Sequence, residues 1–335
     1  MKAATIGLFL VTLTVAALAS LCLGKYPLSL HEVTGYLLYQ AGAGTMAPDR
    51  LPILRNIILE IRLPRIATAI LVGSALSASG ATYQALFVNP LVSPGLLGVL
   101  AGASFGSALG LVLFKGWFAI QVATFLGGVT AVALALFLAG AQRNANVTML
   151  LLGGIVSGAL FTSLVSVIKY LADPYNQLPA ITYWLMGNLA MADRTTAFAT
   201  GIPIGAGVLV LMLLSRPLNV LSMGDDEARS LGIDVQRVRM TAIVCATLVS
   251  ALTVVLAGII GWVGMIIPHI ARMIVGPDNE TLIPVAALLG ATYLLMVDNI
   301  SRLLFSFELP IGIATAVVGI PFFMAVLKRT RKGWY

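Results

Sequence analysis

Apolar runs of about membrane-spanning length follow one another along almost the whole chain, and they limit what this sequence can fold into. A transmembrane helix needs about 20 mainly apolar residues, because the hydrocarbon core of a bilayer is about 30 Å thick. Backbone groups in that core must bond within their own segment, which favours helices for runs of this length. We expect helices at residues 3–24, 64–85, 95–114, 118–140, 147–171, 196–215, 239–259, 281–303 and 311–327, with a shorter run at 260–275.

The composition excludes a soluble globular protein. Hydrophobic residues make up 59% of the 335 residues and charged residues only 10%, whereas a soluble domain averages about 25% charged residues. Cys22 and Cys245 both lie in apolar runs, so a secreted disulfide scaffold is excluded too. We therefore predict an all-α, polytopic membrane helix bundle of about ten transmembrane helices, forming a single domain over residues 1–335.

The first run, residues 1–24, could be either a signal peptide or a first membrane span. The residues around Cys22 resemble a lipoprotein cleavage site, but the bulky Leu21 before it argues against cleavage. The apolar stretch is also about 20 residues long, which exceeds the hydrophobic region of a typical signal peptide. We expect an uncleaved first span.

The short run at 260–275 decides the number of spans and the placement of the termini. If it crosses the membrane there are ten spans, and if it is re-entrant there are nine. Basic residues concentrate in cytoplasmic segments, and the C-terminal tail carries Lys328, Arg329, Arg331 and Lys332. We predict ten spans, both termini in the cytoplasm, and a cytoplasmic loop at 215–239.

Four arginines oppose this charge rule, because Arg50, Arg55, Arg62 and Arg65 fall in or beside the first outer loop. One explanation is that a loop of about 40 residues carries little topological weight. The other is a docking surface for an acidic partner, since the arginine fork pairs with carboxylates bidentately. The net charge of +7 reflects residues flanking the spans, so we expect no nucleic-acid partner.

Small residues recur at four-residue spacing in three runs, which is typical of close helix packing in membranes. They predict three packing seams rather than a pathway lining. The seams are Ala69, Gly73, Ser77 and Ala81; Gly98, Gly102, Gly106 and Gly110; and the pair Gly154 and Gly158.

No catalytic or metal-binding motif is found in the sequence, whose only histidines are His31 and His269. It also lacks the glycine-rich phosphate loop of ATPases. Asp298 is the main ionisable residue within a predicted span, and Arg302 lies on the same helical face four residues later. A buried charge is costly unless paired, so these two predict a structural ion pair. The alternative is that Asp298 holds Arg302 at the outer mouth for an outside partner.

Two cytoplasmic segments could carry function. Asn89, Pro90 and Leu91 form an uncharged hinge after the second run, which is either a tight turn or part of a gate. Residues 224–232 carry acids at the start and a glycine at the end, which predicts a short helix. That helix is either solvated or a knob that a soluble partner grips.

Short motifs spread over nearly the whole chain carry a resemblance to a known family. They lie at 61–65 (Ile-Arg-Leu-Pro-Arg), 84–91, 94–98, 215–218, 227–232, 264–272 and 308–312 (Glu-Leu-Pro-Ile-Gly). On these residues the chain resembles the permease subunit of type II ABC importers, the family that takes up ferric siderophores, haem and cobalamin.

The resemblance implies the partners. Such permeases pair with a second permease subunit, here expected to be an identical copy, and with two cytoplasmic ATPases that bind ATP and Mg. A periplasmic binding protein delivers the substrate, and lipid surrounds the spans. No cofactor is expected in this chain.

The resemblance also implies roles for residues. Binding-protein docking is expected at Arg62, Arg65 and Arg302, and ATPase coupling at Gly224, Asp226, Glu227, Ala228, Leu231 and Gly232. The cytoplasmic gate is expected at Asn89, Pro90, Leu91, Val147 and Thr148, although Val147 is apolar where a relative has a hydroxyl.

We therefore predict an inner-membrane permease that moves a metal chelate from periplasm to cytoplasm by alternating access at a dimer interface. A molybdate or tungstate importer of the same family is the main alternative, because the motifs do not depend on the substrate. A secondary transporter without an ATPase would need intramembrane carboxylates, and only Asp298 is available. A membrane-embedded enzyme would need catalytic groups that the sequence lacks.

Overall fold

The computed structural model describes residues 2–114, 116–140, 147–304 and 307–330, and within these ranges every regular element is helical. A π-helical stretch at Asn56–Arg62 precedes α4, and a 3₁₀ turn at Pro94–Leu97 precedes α5. The α-helices are α1 (Lys2–Cys22), α2 (Leu30–Gln40), α3 (Arg50–Arg55), α4 (Leu63–Leu86), α5 (Val99–Leu113), α6 (Trp117–Gly140), α7 (Val147–Leu171), α8 (Gln177–Leu185), α9 (Arg194–Leu213), α10 (Ser215–Leu221), α11 (Asp225–Ser230), α12 (Val235–Ala257), α13 (Val263–Val275), α14 (Asn279–Leu303) and α15 (Ile311–Thr330).

The predicted all-α membrane bundle is confirmed, since each of the ten apolar runs forms a helix. Six helices in the described part of the chain are long and apolar enough to cross a membrane. The short helices α2, α3, α8 and α10 lie between the runs, and α11 is the helix expected at 224–232. The C-terminal basic residues at 331 and 332, and the side chains at 328 and 329, lie outside the described residues.

Contacts between the termini of neighbouring helices define the two ends of the bundle. At the arginine end, which we define by Arg62, Arg65 and Arg302, Arg65 bonds to Asp298 and to Glu308. At the coupling end, which we define by α10 and α11, Asn219 donates to Asp278 over 2.7 Å. Helix α4 therefore runs from the first end to the loop at 88–91, which lies beside Asn219.

The short run at 260–275 also joins the two ends. Before it, Asn188 N donates to Ala257 O over 2.8 Å, and Ile311 N donates to Gly187 O over 3.0 Å at the arginine end. Near the end of the run, Arg272 lines the same cleft as Asn219 at the coupling end. Helix α13 has only 13 residues, about 20 Å at 1.5 Å per residue, and the non-helical residues 258–262 precede it. The run extends between the two ends of the bundle, and its full crossing of the membrane stays a prediction.

The small-residue stripes are packing seams, as predicted. On α5, Gly102 lies against Gly127 O and Gly106 lies against Ala123 O, so this stripe packs on α6. On α4, Gly73 lies against Gly290 O of α14. Gly154 of α7 lies against Leu96 O. Each contact brings backbone against backbone, which only a glycine at that position allows.

The contact of Gly80 with Gly264 O provides a test of the α4–α13 seam. A Cβ at Gly80 would overlap that oxygen, so Gly80→Ala should cost about 1–3 kcal/mol through overpacking. We expect a lower thermal unfolding midpoint of the purified protein in detergent. In the control Gly205→Ala, the new Cβ meets nothing within 4 Å, and alanine favours a helix by about 1 kcal/mol. A loss of stability equal for both variants would contradict the seam.

Candidate functional site

A buried carboxylate shared between arginines organises the arginine end. Asp298 on α14 is fully buried, and Arg65 in the first turn of α4 is 7% exposed. Arg65 Nε and Nη2 donate to Asp298 Oδ1 over 3.0 and 2.9 Å. Arg65 Nη1 donates to Glu308 Oε2 over 3.0 Å. One guanidinium therefore bridges a buried and a partly exposed carboxylate.

Arg302 approaches the same carboxylate from within α14. Its Nε lies 3.2 Å from Asp298 Oδ2, one helical turn away. Its Nη2 donates to Asn299 Oδ1, and the Asn299 amide in turn donates to Ser20 Oγ of α1. The chain of bonds ties α14 to the end of α1.

Arg62 is held by backbone carbonyl groups instead of by a carboxylate. Its two terminal nitrogens donate to Leu21 O, in the last turn of α1, and to Tyr26 O, just past the end of that helix. Arg62 is 3% exposed. A Cβ at Gly24 would lie 2.6 Å from Arg62 Nη2, so glycine leaves room for the guanidinium.

The structure thus gives the three expected docking arginines internal partners. Asp298 lies beside Arg302, as the sequence indicates, but its hydrogen bonds come from Arg65, which lies 233 positions away in the chain. Sequence reasoning also missed Glu308 as a partner of Arg65. Its only signal was a place in the Glu-Leu-Pro-Ile-Gly motif at 308–312. Docking at these arginines remains a prediction.

At the coupling end, three of the expected gate residues, Asn89, Pro90 and Leu91, form a tight turn beside a cleft. Asn89 Oδ1 accepts a bond from Leu91 N over 2.9 Å, and Val88 has a positive φ of 46°. The cleft has a volume of about 510 Å³ and lies between this turn, α10 and the start of α14. Thr148 is exposed near the start of α7, whereas the side chain of Val147 lies outside the described residues.

The expected coupling segment is a compact, anchored helix. Gly224 and Gly232 flank α11 with φ of 127° and 80°, which favours glycine at both positions. Ala228 is fully buried, whereas Leu231 is 62% exposed. Asp225 is bonded to Arg239 of α12 over 2.8 Å. The segment is fixed to the bundle and exposes an apolar side chain.

A polar network beside this cleft joins the start of α1 to α10 and α14. Lys2 Nζ lies 2.6 Å from Asp278 Oδ2, and Arg216 Nε donates to Glu280 over 2.8 Å. Hydrogen bonds from Lys2 and then Asn219 lower the pKa of Asp278 below its usual value. The carboxylate therefore stays ionised at neutral pH and keeps these three helices joined.

Comparison with known proteins identifies the family. Residues 12–329 match the model of the FecCD transport family. The chain belongs to this family. It is 37% identical over 321 residues to the molybdate import system permease protein MolB of Haemophilus influenzae, covering 96% of this chain and 94% of that protein. It is 38% identical over 283 residues to a probable iron chelatin transport system permease of Helicobacter pylori, covering 84% and 86%.

A solved structure shares the fold over the whole bundle. It is an inward-facing conformation of a metal-chelate type ABC transporter, with a TM-score of 0.86 and 34% sequence identity. The match covers 97% of this chain and 98% of that one. This FecCD-family chain is therefore a multi-pass ABC transporter permease of the inner membrane, and it is not an enzyme. Within the described residues, no group of three potential metal ligands comes together.

Removal of the shared carboxylate tests how much the arginine end depends on it. Asp298→Asn keeps the side-chain shape but leaves Arg302 without a counter-charge and Arg65 with Glu308 alone. Breaking a buried pair in this way costs about 3–5 kcal/mol, so we expect a large drop in the thermal unfolding midpoint. Glu60→Gln, which removes an exposed carboxylate near the same end, is the control. Equal effects of the two variants would contradict the structural role of Asp298.

Proposed function

We propose that this chain imports a metal chelate as the permease subunit of an ATP-driven transporter, working by alternating access. The observation that carries the proposal is the likeness, over 97% of the chain, to a metal-chelate type ABC transporter. The relative that is named for iron chelatin transport supports the same substrate class. In this proposal the chelate moves from the periplasm to the cytoplasm.

The exposed face of α7 is the surface that we assign to a second, identical subunit and to the pathway between the two. Thr162, Ser163 and Ser166 are exposed there, and each hydroxyl donates to the carbonyl four residues earlier. A helix side that carries three hydroxyls suits contact with protein or with a passing polar solute better than contact with lipid tails. Because the backbone satisfies these hydroxyls as donors, they would bind substrate only weakly. Weak binding suits a pathway that receives its substrate from a separate binding protein.

The coupling end is where we place the two ATPase subunits, which bind ATP and Mg. Helix α11 presents Leu231 to solvent while Ala228 and Asp225 anchor it to the bundle. A push on α11 would pass to α12 through the bond between Asp225 and Arg239. The neighbouring cleft connects α10 with the turn at 88–91, which we propose as the cytoplasmic gate. In this topology, both termini are cytoplasmic.

The arginine end is where we place the binding protein. Three arginines and two carboxylates leave one positive charge in the cluster. Glu308 is partly exposed, with 31% of its side-chain surface accessible, and it occupies Arg65. An acidic partner would therefore compete with Glu308 for the Arg65 guanidinium.

Molybdate or tungstate import is the second candidate. It is favoured by the 37% identity to the molybdate permease over 96% of this chain. An ATP-independent secondary transporter is disfavoured, because Asp298, the carboxylate it would need for ion coupling, is bonded to Arg65.

Uptake by a reconstituted complex tests the proposed substrate class. We would purify the chain from its native membrane with its ATPase, determine the copy number by native mass spectrometry, and load the complex into vesicles with its binding protein. We expect two copies of each subunit and ATP-dependent uptake of a radiolabelled ferric chelate. Leu231→Asp should reduce uptake at least tenfold, whereas the exposed control Arg237→Gln should not.

Uptake of molybdate without ferric chelate would replace the first candidate with the second. Uptake of either solute without ATP would contradict the importer itself. A complex with one copy of the chain would contradict the dimer.

The docking proposal predicts an effect of Glu308→Gln on binding-protein affinity. The variant removes the internal competitor for Arg65, so affinity should rise by up to about fivefold, because a part-exposed ion pair contributes about 1 kcal/mol or less. The measurement is binding of the purified binding protein to the complex in lipid nanodiscs. Glu60→Gln is the matched control for the loss of one carboxylate at this end. Unchanged or weaker binding by Glu308→Gln would contradict the competition.

A further inference from the structure

An apolar groove on the outside of the bundle lies between α4 and α9, near the arginine end. On α4 it is lined by Leu63, Ala67 and Leu71, which are spaced four residues apart. On α9 the residues at 194, 197, 198, 201 and 202 line it, which is one stripe of an α-helix. The groove has a volume of about 500 Å³. Its walls extend over nine residues of each helix, a rise of about 12 Å.

Small residues on both helices leave the groove open. Ala67 is exposed on α4, and the nearest atom to a Cβ at Gly201 would be Leu71 Cδ1 at 3.3 Å. Phe198 and Ile202 form the opposite rim and are 73% and 64% exposed. Both helices lie in apolar runs of about membrane-spanning length, so an exposed slot between them is open to lipid.

A single cation stands at the mouth of the groove. Arg194 is the first residue of α9 and is exposed, and its side chain forms no ion pair or hydrogen bond with the described residues. The adjacent Asp193 forms no salt bridge with Arg194 in the described structure, and its carboxylate caps α9 by accepting from Thr196 N over 2.9 Å. Arginine at this position is suited to a phosphate, which its fork binds bidentately.

We infer that this groove binds one anionic phospholipid, with an acyl chain between α4 and α9 and its phosphate on Arg194. The groove length of about 12 Å is most of the depth of one leaflet, which is about 15 Å. Lipid tails bind an apolar groove without a hydrophobic gain over bulk lipid. The selectivity therefore comes from the headgroup charge at Arg194, and the fit of the tail comes from the small residues.

Native mass spectrometry of the purified, delipidated chain tests this site. Phosphatidylglycerol and phosphatidylcholine with identical acyl chains would be titrated onto the protein. We expect about fivefold tighter binding of one phosphatidylglycerol, the factor that corresponds to about 1 kcal/mol for one cation near an anionic lipid surface. Arg194→Gln should abolish this preference, whereas Arg55→Gln, at an exposed arginine of α3, should keep it.

A second pair of variants tests the slot for the acyl chain. Ala67→Phe fills the groove at an exposed position and leaves Arg194 in place, so it should lower phosphatidylglycerol binding. Ala133→Phe, at an exposed position of α6, should have no effect.

Three outcomes would overturn the inference. The first is equal binding of both lipids by the unaltered chain. The second is displacement of phosphatidylglycerol by inorganic phosphate at equal concentration, which would indicate a soluble anion. The third is loss of phosphatidylglycerol binding when two copies of the chain associate, which would assign the groove to the subunit interface.

Discussion

Close backbone contact along α4 is the constraint on which the rest of the bundle depends. This helix is buried along most of its length, and glycines let it touch α14 at Gly290 and α13 at Gly264. Lipid offers no hydrophobic force to hold helices together, so such contacts supply much of the stability through dispersion forces. Helix α4 begins directly after Arg62, carries Arg65 in its first turn and ends just before the turn at 88–91. Its packing therefore positions both regions that we assign to function.

The buried charges at the arginine end depend on that packing. Asp298 is 0% exposed, and without a partner its buried charge would strongly destabilise the fold. Two arginines neutralise this charge, Arg65 from α4 and Arg302 from α14 itself. The cluster joins α4 to α14, and its buried Arg65 also pairs with Glu308, whose side chain is 31% exposed. Structural and docking roles for these arginines are therefore compatible, provided that Glu308 can exchange with an outside carboxylate.

Much of the fold could be predicted because each signal is local. Hydropathy places all ten helices, and the spacing of small residues places the seams on α4 and α5. The acidic start and final glycine of 224–232 were enough to place α11. The family motifs also lie in short contiguous segments, so the resemblance was visible before any contact was known. The π-helical stretch at Asn56–Arg62 and the short helix α8 had no comparable signal.

The sequence by itself determined the membrane class, the helices, the faces on which they pack and the family. Only the tertiary structure decided which side chains meet across helices. It pairs Arg65 with Asp298, holds Arg62 on the carbonyls of Leu21 and Tyr26, and leaves Arg194 beside an open groove. The physical reason is that helical periodicity specifies a face but not the helix opposite it. That choice is made by the summed packing of all the helices, which no local pattern encodes.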